Sequence, residues 1–134
     1  MTFIRANHYK DIRPDEWPWP HFTPEEMACR GTGKLVVSVE LMDKLEALRK
    51  RLGNHPLVVT SGYRTPEHNA KIGGATKSQH LNGMAVDIAL ANMDGAEVEG
   101  HARMLGFTGI GRYPNKGIIH LDLGPARTWG KPWP

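Results

Sequence analysis

Three side chains of this sequence have the types to hold a divalent metal between them. His80 lies in Ser78-Gln79-His80-Leu81-Asn82-Gly83-Met84-Ala85-Val86-Asp87, which ends on the second, and His120 lies in Gly117-Ile118-Ile119-His120-Leu121-Asp122-Leu123. Two imidazoles and a carboxylate form a mixed nitrogen and oxygen set that suits zinc. Three protein ligands leave a fourth position for water or substrate, as in catalytic rather than structural zinc sites. Each residue alone is ordinary, since the chain has 7 histidines and a loop histidine commonly serves only as a hydrogen-bonding surface group. Asp87 is harder to dismiss. It is flanked by Ala85, Val86, Ile88 and Ala89, and an ionised carboxylate inside an apolar strand is costly unless something positive meets it. Asp122, between Leu121 and Leu123, raises the same question unless its strand face is exposed.

The elements that must position these residues can be read from local pattern. Leu57-Val58-Val59-Thr60, bounded by Pro56 and Gly62, predicts a short buried strand that delivers the chain to Ser61-Gly62-Tyr63-Arg64. Thr65-Pro66-Glu67 opens a short helix stopped at Gly73-Gly74, and a loop from Ala75 to Gly83 carries Ser78 and His80. Met84 to Leu90 predicts a second strand with Val86 and Ile88 on one face and Asp87 on the other. Gly109 to Tyr113 and Ile118 to Leu123 predict a hairpin around Pro114-Asn115-Lys116-Gly117, with His120 and Asp122 sharing a face.

The scaffold is equally marked. Thr23-Pro24-Glu25-Glu26 is a capping box with proline at the first helical position, and this short helix ends by Gly31. Ser38 caps a longer helix to about Leu52, with Leu41, Leu45, Leu48 and Leu52 at helical spacing; Asp94 caps another with Val98, Ala102 and Leu105 as its stripe. Residues 1–22, with Trp17-Pro18-Trp19-Pro20-His21, are expected to form an extended arm whose tryptophans pack onto the domain; an aromatic platform for sugar is the competing reading. Residues 23–134 are expected to form a single domain, α+β, with a small, mainly antiparallel sheet flanked by helices. The tail from Gly124 to Pro134 shows no regular pattern.

Composition excludes several classes. The 134 residues suffice for one modest core, and the formal charge of +3 is spread along the chain. No nucleic-acid motif accompanies that mild basicity. A single cysteine, Cys29, rules out an intramolecular disulfide and a multi-cysteine zinc site, and is expected to be a small buried apolar residue. No stretch approaches the ~20 apolar residues of a membrane span, and the first residues lack the apolar run of a signal peptide.

Ser61-Gly62-Tyr63-Arg64, Ser78-x-His80-x-x-Gly83-x-Ala85-x-Asp87 and His120-x-Asp122, in that order, resemble the zinc D-Ala-D-Ala carboxypeptidase family, part of a murein-peptidase group that shares its zinc-site core with lysostaphin-type enzymes and hedgehog domains. The ending, Gly111-x-Tyr113-Pro114 and then Gly124-Pro125-Ala126-Arg127-x-Trp129, resembles the single-domain branch, so matching segments run from Phe22 to Trp129. The resemblance implies a hedgehog and DD-peptidase-like fold, with His80, Asp87 and His120 as Zn2+ ligands. Arg64 would meet a carboxylate of a peptidoglycan stem peptide, where a guanidinium fork suits bidentate recognition. Ser78 would touch substrate or steady the His80 loop, and Tyr113 would line the groove. Many relatives place an acid three residues before the last ligand, where this chain has Gly117. Asp122 is therefore expected either to take the proton of the attacking water or to orient His120.

The activity implied is hydrolysis of stems or cross-links containing D-amino acids, by a monomer without nucleic-acid partners or membrane insertion. The expected context is an endolysin of a phage or prophage, made in the cytoplasm and reaching the wall after the membrane is breached. A lytic role favours a murein endopeptidase. The alternatives are a D-Ala-D-Ala carboxypeptidase and a non-catalytic zinc module that binds wall peptide or a protein partner.

Overall fold

A computed structural model describes all 134 residues, and its elements follow the β-branched runs and caps of the sequence. In chain order they are β1 (Phe3–Ala6), α1 (Pro24–Met27), β2 (Leu35–Ser38), α2 (Val39–Arg51), β3 (Val58–Ser61), α3 (Pro66–Lys71), β4 (Ala85–Ala89), α4 (Gly95–Met104), β5 (Gly109–Tyr113), β6 (Ile118–Asp122) and β7 (Arg127–Gly130). The caps act as their residue types require. Thr23 accepts from the Glu26 amide at 3.2 Å while Glu26 accepts from Thr23 N–H at 2.9 Å. Ser38 accepts from the Leu41 amide at 3.2 Å, and Asp94 from Ala96 at 3.0 Å.

The main sheet has strand order β3-β4-β6-β5-β7. Its neighbours are antiparallel except for β5 and β7, which run parallel. The fold is α+β, as the sequence predicts. Alternation divides the sheet cleanly: Val86, Ile88, Ile119 and Leu121 join one buried cluster with Leu41, Leu45 and Leu48 of α2 and Val98 and Ala102 of α4. Each large aliphatic side chain so buried contributes about 1.5–3 kcal/mol. The opposite face of β4 and β6 is thereby left to Asp87, His120 and Asp122. Cys29 is buried in a smaller cluster with Val36 and Tyr63.

Two stretches differ from expectation. The tail is not patternless, because residues 127–130 form β7 against β5. Four residues are too few to show alternation, and this strand is set by its partner rather than by its own composition. Leu35–Ser38, of which the sequence marks only Ser38 as a helix cap, forms β2, and Phe3–Ala6 pairs with it antiparallel. The arm also carries 3-10 turns at Tyr9–Asp11 and Pro14–Glu16. Its tryptophans are anchors and not a sugar platform. Trp19 is 5% exposed and donates its indole N–H to Asp43 at 2.8 Å, while Trp17 donates to the Phe22 carbonyl at 2.6 Å. No helix is long and apolar enough to cross a membrane.

Candidate metal centre and its cleft

His80 is aimed by backbone. It sits in a 3-10 turn, Gln79–Asn82, whose cap is Ser78: the Ser78 hydroxyl accepts from the His80 amide at 3.2 Å. Its ring Nδ1 lies 2.6 Å from the Gly62 carbonyl, an acceptor, so Nδ1 carries the proton and Nε2 presents its lone pair. Gly62 can approach because it lacks a side chain; a Cβ there would lie 2.6 Å from the Met27 carbonyl oxygen. His80 Nε2 is 3.2 Å from Asp87 Oδ1 yet buried without a hydrogen-bond partner. A lone pair facing an anionic oxygen cannot bond to it. A cation between them would satisfy both.

The sheet supplies the rest in two rows. Ser61, Asp87, His120, Gly111 and Trp129 stand opposite one another across β3, β4, β6, β5 and β7, and Ala85, Asp122, Gly109 and Arg127 form the adjacent row. In the first row His120 Nδ1 lies 2.9 Å from Asp87 Oδ1. One ligand atom each from His80, Asp87 and His120 lie within 4.8 Å of one another. Two imidazole nitrogens and a carboxylate oxygen converging in a mostly buried spot, one of them orphaned, fit a zinc ion by donor type, number and burial.

The electrostatics are those of a closely coupled cluster. Burial would raise the Asp87 carboxyl, but the facing imidazoles of His120 and His80 outweigh it and hold it well below the usual carboxylate range. Burial likewise opposes charge on His120, and its contacts with Asp122 and Asp87 reverse that, raising its pKa above the ordinary histidine value. Asp122 has no exposed surface, and burial alone would raise it; its bonds with His120 and Arg127 bring it down instead.

An open cleft of about 570 Å³ lies over the cluster. Arg64 is on its wall, reaching Asp87 Oδ2 at 3.4 Å, Asn69 Oδ1 at 3.3 Å and Ser61 Oγ at 3.2 Å. Ser78 and Tyr113 line it too, and the Tyr113 hydroxyl accepts from the Trp129 indole at 2.6 Å. Asp122 does not line it. It sits behind His120, with Oδ2 2.6 Å from Nε2, and is gripped by Arg127 through two parallel bonds of 2.8 and 2.7 Å. Of the two roles open from sequence, this placement suits orientation of His120, while burial and full occupation of both oxygens argue against a proton acceptor for water in the cleft. Asp87 is the one carboxylate on the cleft wall, beside the cations Arg64, Lys77, Lys116 and Arg127. Sequence reasoning gave no role to Lys77, Lys116, Arg127 or Trp129; for Arg127 and Trp129 the available signal was their place in the ending Gly124-Pro125-Ala126-Arg127-x-Trp129.

Comparison with known proteins agrees with this geometry. Residues 20–122 match the family described as Peptidase M15. The chain is 35% identical over 96 residues to the probable peptidoglycan L,D-endopeptidase MepK of Haemophilus influenzae, covering 66% of this chain and 52% of that protein. It is 34% identical over 95 residues to the peptidoglycan L,D-endopeptidase MepK of Escherichia coli, with 66% and 52% covered. To the zinc D-Ala-D-Ala carboxypeptidase of Streptomyces albus G it is 33% identical over 94 residues, 68% of this chain and 37% of the relative. The chain thus aligns with about half the length of the MepK proteins. With three side chains that could hold a metal ion brought together and its sequence matched from residue 20 to 122, the chain belongs to the Peptidase M15 family.

Proposed function

We propose that this chain is a zinc-dependent peptidase acting on peptidoglycan stem peptides or cross-links that contain D-amino acids, as a murein endopeptidase. The observation that carries the reading is the orphaned His80 Nε2 beside Asp87 and His120, at the floor of a cleft with four cationic side chains and one carboxylate. His80 through Nε2, Asp87, and His120 through Nδ1 are the ligands in this reading. Zinc, when bound, supplies Lewis acidity to the scissile carbonyl and to water at neutral pH. Arg64 presents its fork to a stem carboxylate, and Lys77 and Lys116 add attraction for an anionic peptide. Ser78 holds the His80 loop, Tyr113 with Trp129 makes the aromatic wall, and Asp122 orients His120 by accepting a hydrogen bond from its Nε2–H.

The endopeptidase reading draws on the activity for which the MepK relatives are named; the Streptomyces relative supports trimming of a terminal D-Ala as the alternative. An endolysin-like role for a phage or prophage, acting as a monomer on the wall after the membrane is breached, is the finer form and requires cross-link cleavage. One observation favours a non-catalytic zinc module: no carboxylate other than Asp87 lines the cleft.

The test is mass spectrometry of fragments released from purified Gram-negative sacculi by zinc-loaded protein, with a chelated control. Zinc-dependent new amino termini support the peptidase and name the bond. Release of D-Ala alone supports the carboxypeptidase, and no release from zinc-loaded protein leaves the binding module.

A further inference from the structure

At Gly109 and Gly111 strand β5 carries no side chain on the face that holds Asp122 and His120. Gly109 stands between Asp122 and Arg127, and Gly111 between His120 and Trp129. A Cβ on Gly109 would fall on the Asp122 carboxylate and the Arg127 guanidinium; on Gly111 it would lie 2.7 Å from the Trp129 ring and 3.0 Å from His120 Cβ. Strands β6 and β7 are not neighbours, and two strand spacings separate them by about 10 Å. Their side chains meet only because β5 leaves the gap. Glycine inside a strand weakens it, so β5 loses local stability at both positions and gains a contact between its neighbours.

What meets across the gap is specific. Asp122 Oδ1 accepts from Arg127 Nη1 at 2.8 Å and from the Gly124 amide at 2.9 Å; Oδ2 accepts from Arg127 Nη2 at 2.7 Å and lies 2.6 Å from His120 Nε2. An ionised carboxylate only accepts, so Nε2 carries a proton, and in the zinc reading Nδ1 keeps its lone pair for the ion. The fork-to-fork pair fixes the plane of the carboxylate, which a point charge such as an ammonium would leave free to turn. Trp129 packs 5.0 Å from the His120 ring centroid, and the Arg127 guanidinium lies 4.9 Å over Trp129, closing the far side.

We propose that Arg127 is a positioning residue for the metal centre. Through Asp122, and across the gap at Gly109, it holds the His120 ring so that Nδ1 faces Asp87 and His80. The inference rests on the zinc reading of the cluster and adds to it a β7 residue that touches no ligand directly. Arg127 also lines the cleft with a side chain 36% exposed, so a contact to substrate alone is the competing role.

The experiment measures zinc affinity of wild type, Arg127→Ala, Arg127→Lys and Gly109→Ala by competition with a chromophoric chelator. The thermal midpoint of each metal-free protein is recorded alongside, with the ring nitrogen NMR signals of His120. Arg127→Ala is expected to weaken zinc binding about 10- to 100-fold, Arg127→Lys by less, and to leave a mixture of His120 tautomers where wild type holds the proton at Nε2. Gly109→Ala, which keeps Arg127 but fills the gap, is expected to reproduce the loss. Unchanged zinc affinity in Arg127→Ala, with only a raised KM on sacculi, overturns the proposal and makes Arg127 a substrate contact. A lowered metal-free midpoint that accounts for the whole affinity loss in every variant, with the His120 tautomer unchanged, also overturns it. Because the readout is metal affinity, protein that binds zinc but releases nothing from sacculi would end the peptidase reading and leave this inference standing.

Discussion

His80 and His120 approach the same oxygen: Nε2 of one lies 3.2 Å and Nδ1 of the other 2.9 Å from Asp87 Oδ1, with the rings 5.1 Å apart and nearly perpendicular. The fold holds both rings in place, His80 through the Gly62 carbonyl and His120 through Asp122. Zinc binding to the folded chain should therefore raise its stability without remodelling the sheet. At a thousandfold excess of zinc over its dissociation constant the gain is about 4 kcal/mol, which for a chain of this size raises the thermal midpoint by on the order of 10 °C. Differential scanning fluorimetry with and without chelator measures it. His80→Ala and Asp87→Ala should abolish the shift while keeping the secondary structure seen by circular dichroism.

Glu99 ties α4 to β5 and to the tail. Two bonds of 2.7 Å join it to Arg112, with Arg103 at 3.1 Å and the Trp133 indole at 3.0 Å. The Arg112 bonds are the largest cause that brings its pKa down to about 2 from 4.5, against the effect of burial. A depressed carboxyl stabilises the fold above its unfolded pKa and loses that contribution as pH falls through the folded one. Glu99→Gln should thus be less stable than wild type by roughly 3 kcal/mol at neutral pH. Denaturant titrations should show the difference shrinking as pH drops from 4.5 towards 2.

Arg64 reaches Asp87 by a single long bond of 3.4 Å and keeps its remaining contacts to neutral Ser61 and Asn69. Its one ion pair, with Asp87, is long and leaves guanidinium N–H donors for a second carboxylate. Arg64→Lys and Arg64→Ala should raise KM for stem peptides, the alanine by the 1.5–3 kcal/mol of a charge-assisted bond, or about 10- to 150-fold. Zinc affinity should stay within a few-fold of wild type, which separates this residue from the ligands.

Gly111→Ala places a methyl group 2.7 Å from the Trp129 ring. Either Trp129 leaves the His120 ring or β7 shifts outward. Overpacking of this kind costs about 1–3 kcal/mol. Loss of the Trp129 to Tyr113 bond should appear as a change in tryptophan emission and in the thermal midpoint together.

The convergence of Asp87 and His120 was legible because an acid flanked by Ala85, Val86, Ile88 and Ala89 demands a positive partner, and because period two puts His120 opposite the apolar face. The long helices were legible from Leu41, Leu45 and Leu48, and from Val98 and Ala102, with Ser38 and Asp94 as starts. The short strands β1, β2 and β7 were not. Four residues carry too little pattern, and pairing partners that lie far along the chain decide them. The service of Arg127 to Asp122 was hidden for a further reason: it depends on a side chain that Gly109 lacks, and local reading sees only a residue that weakens a strand.

The parallel pairing of β7 with β5 also sets an order of events. During vectorial synthesis His80, Asp87 and His120 leave the ribosome before Arg127 and Trp129, and β7 pairs only with β5. A nascent chain that stops at Leu123 holds His80, Asp87 and His120 and lacks the Arg127 that grips Asp122. In the proposed role of Arg127, tight ion capture belongs to the sheet with β7 in place rather than to the segments that bear the three side chains.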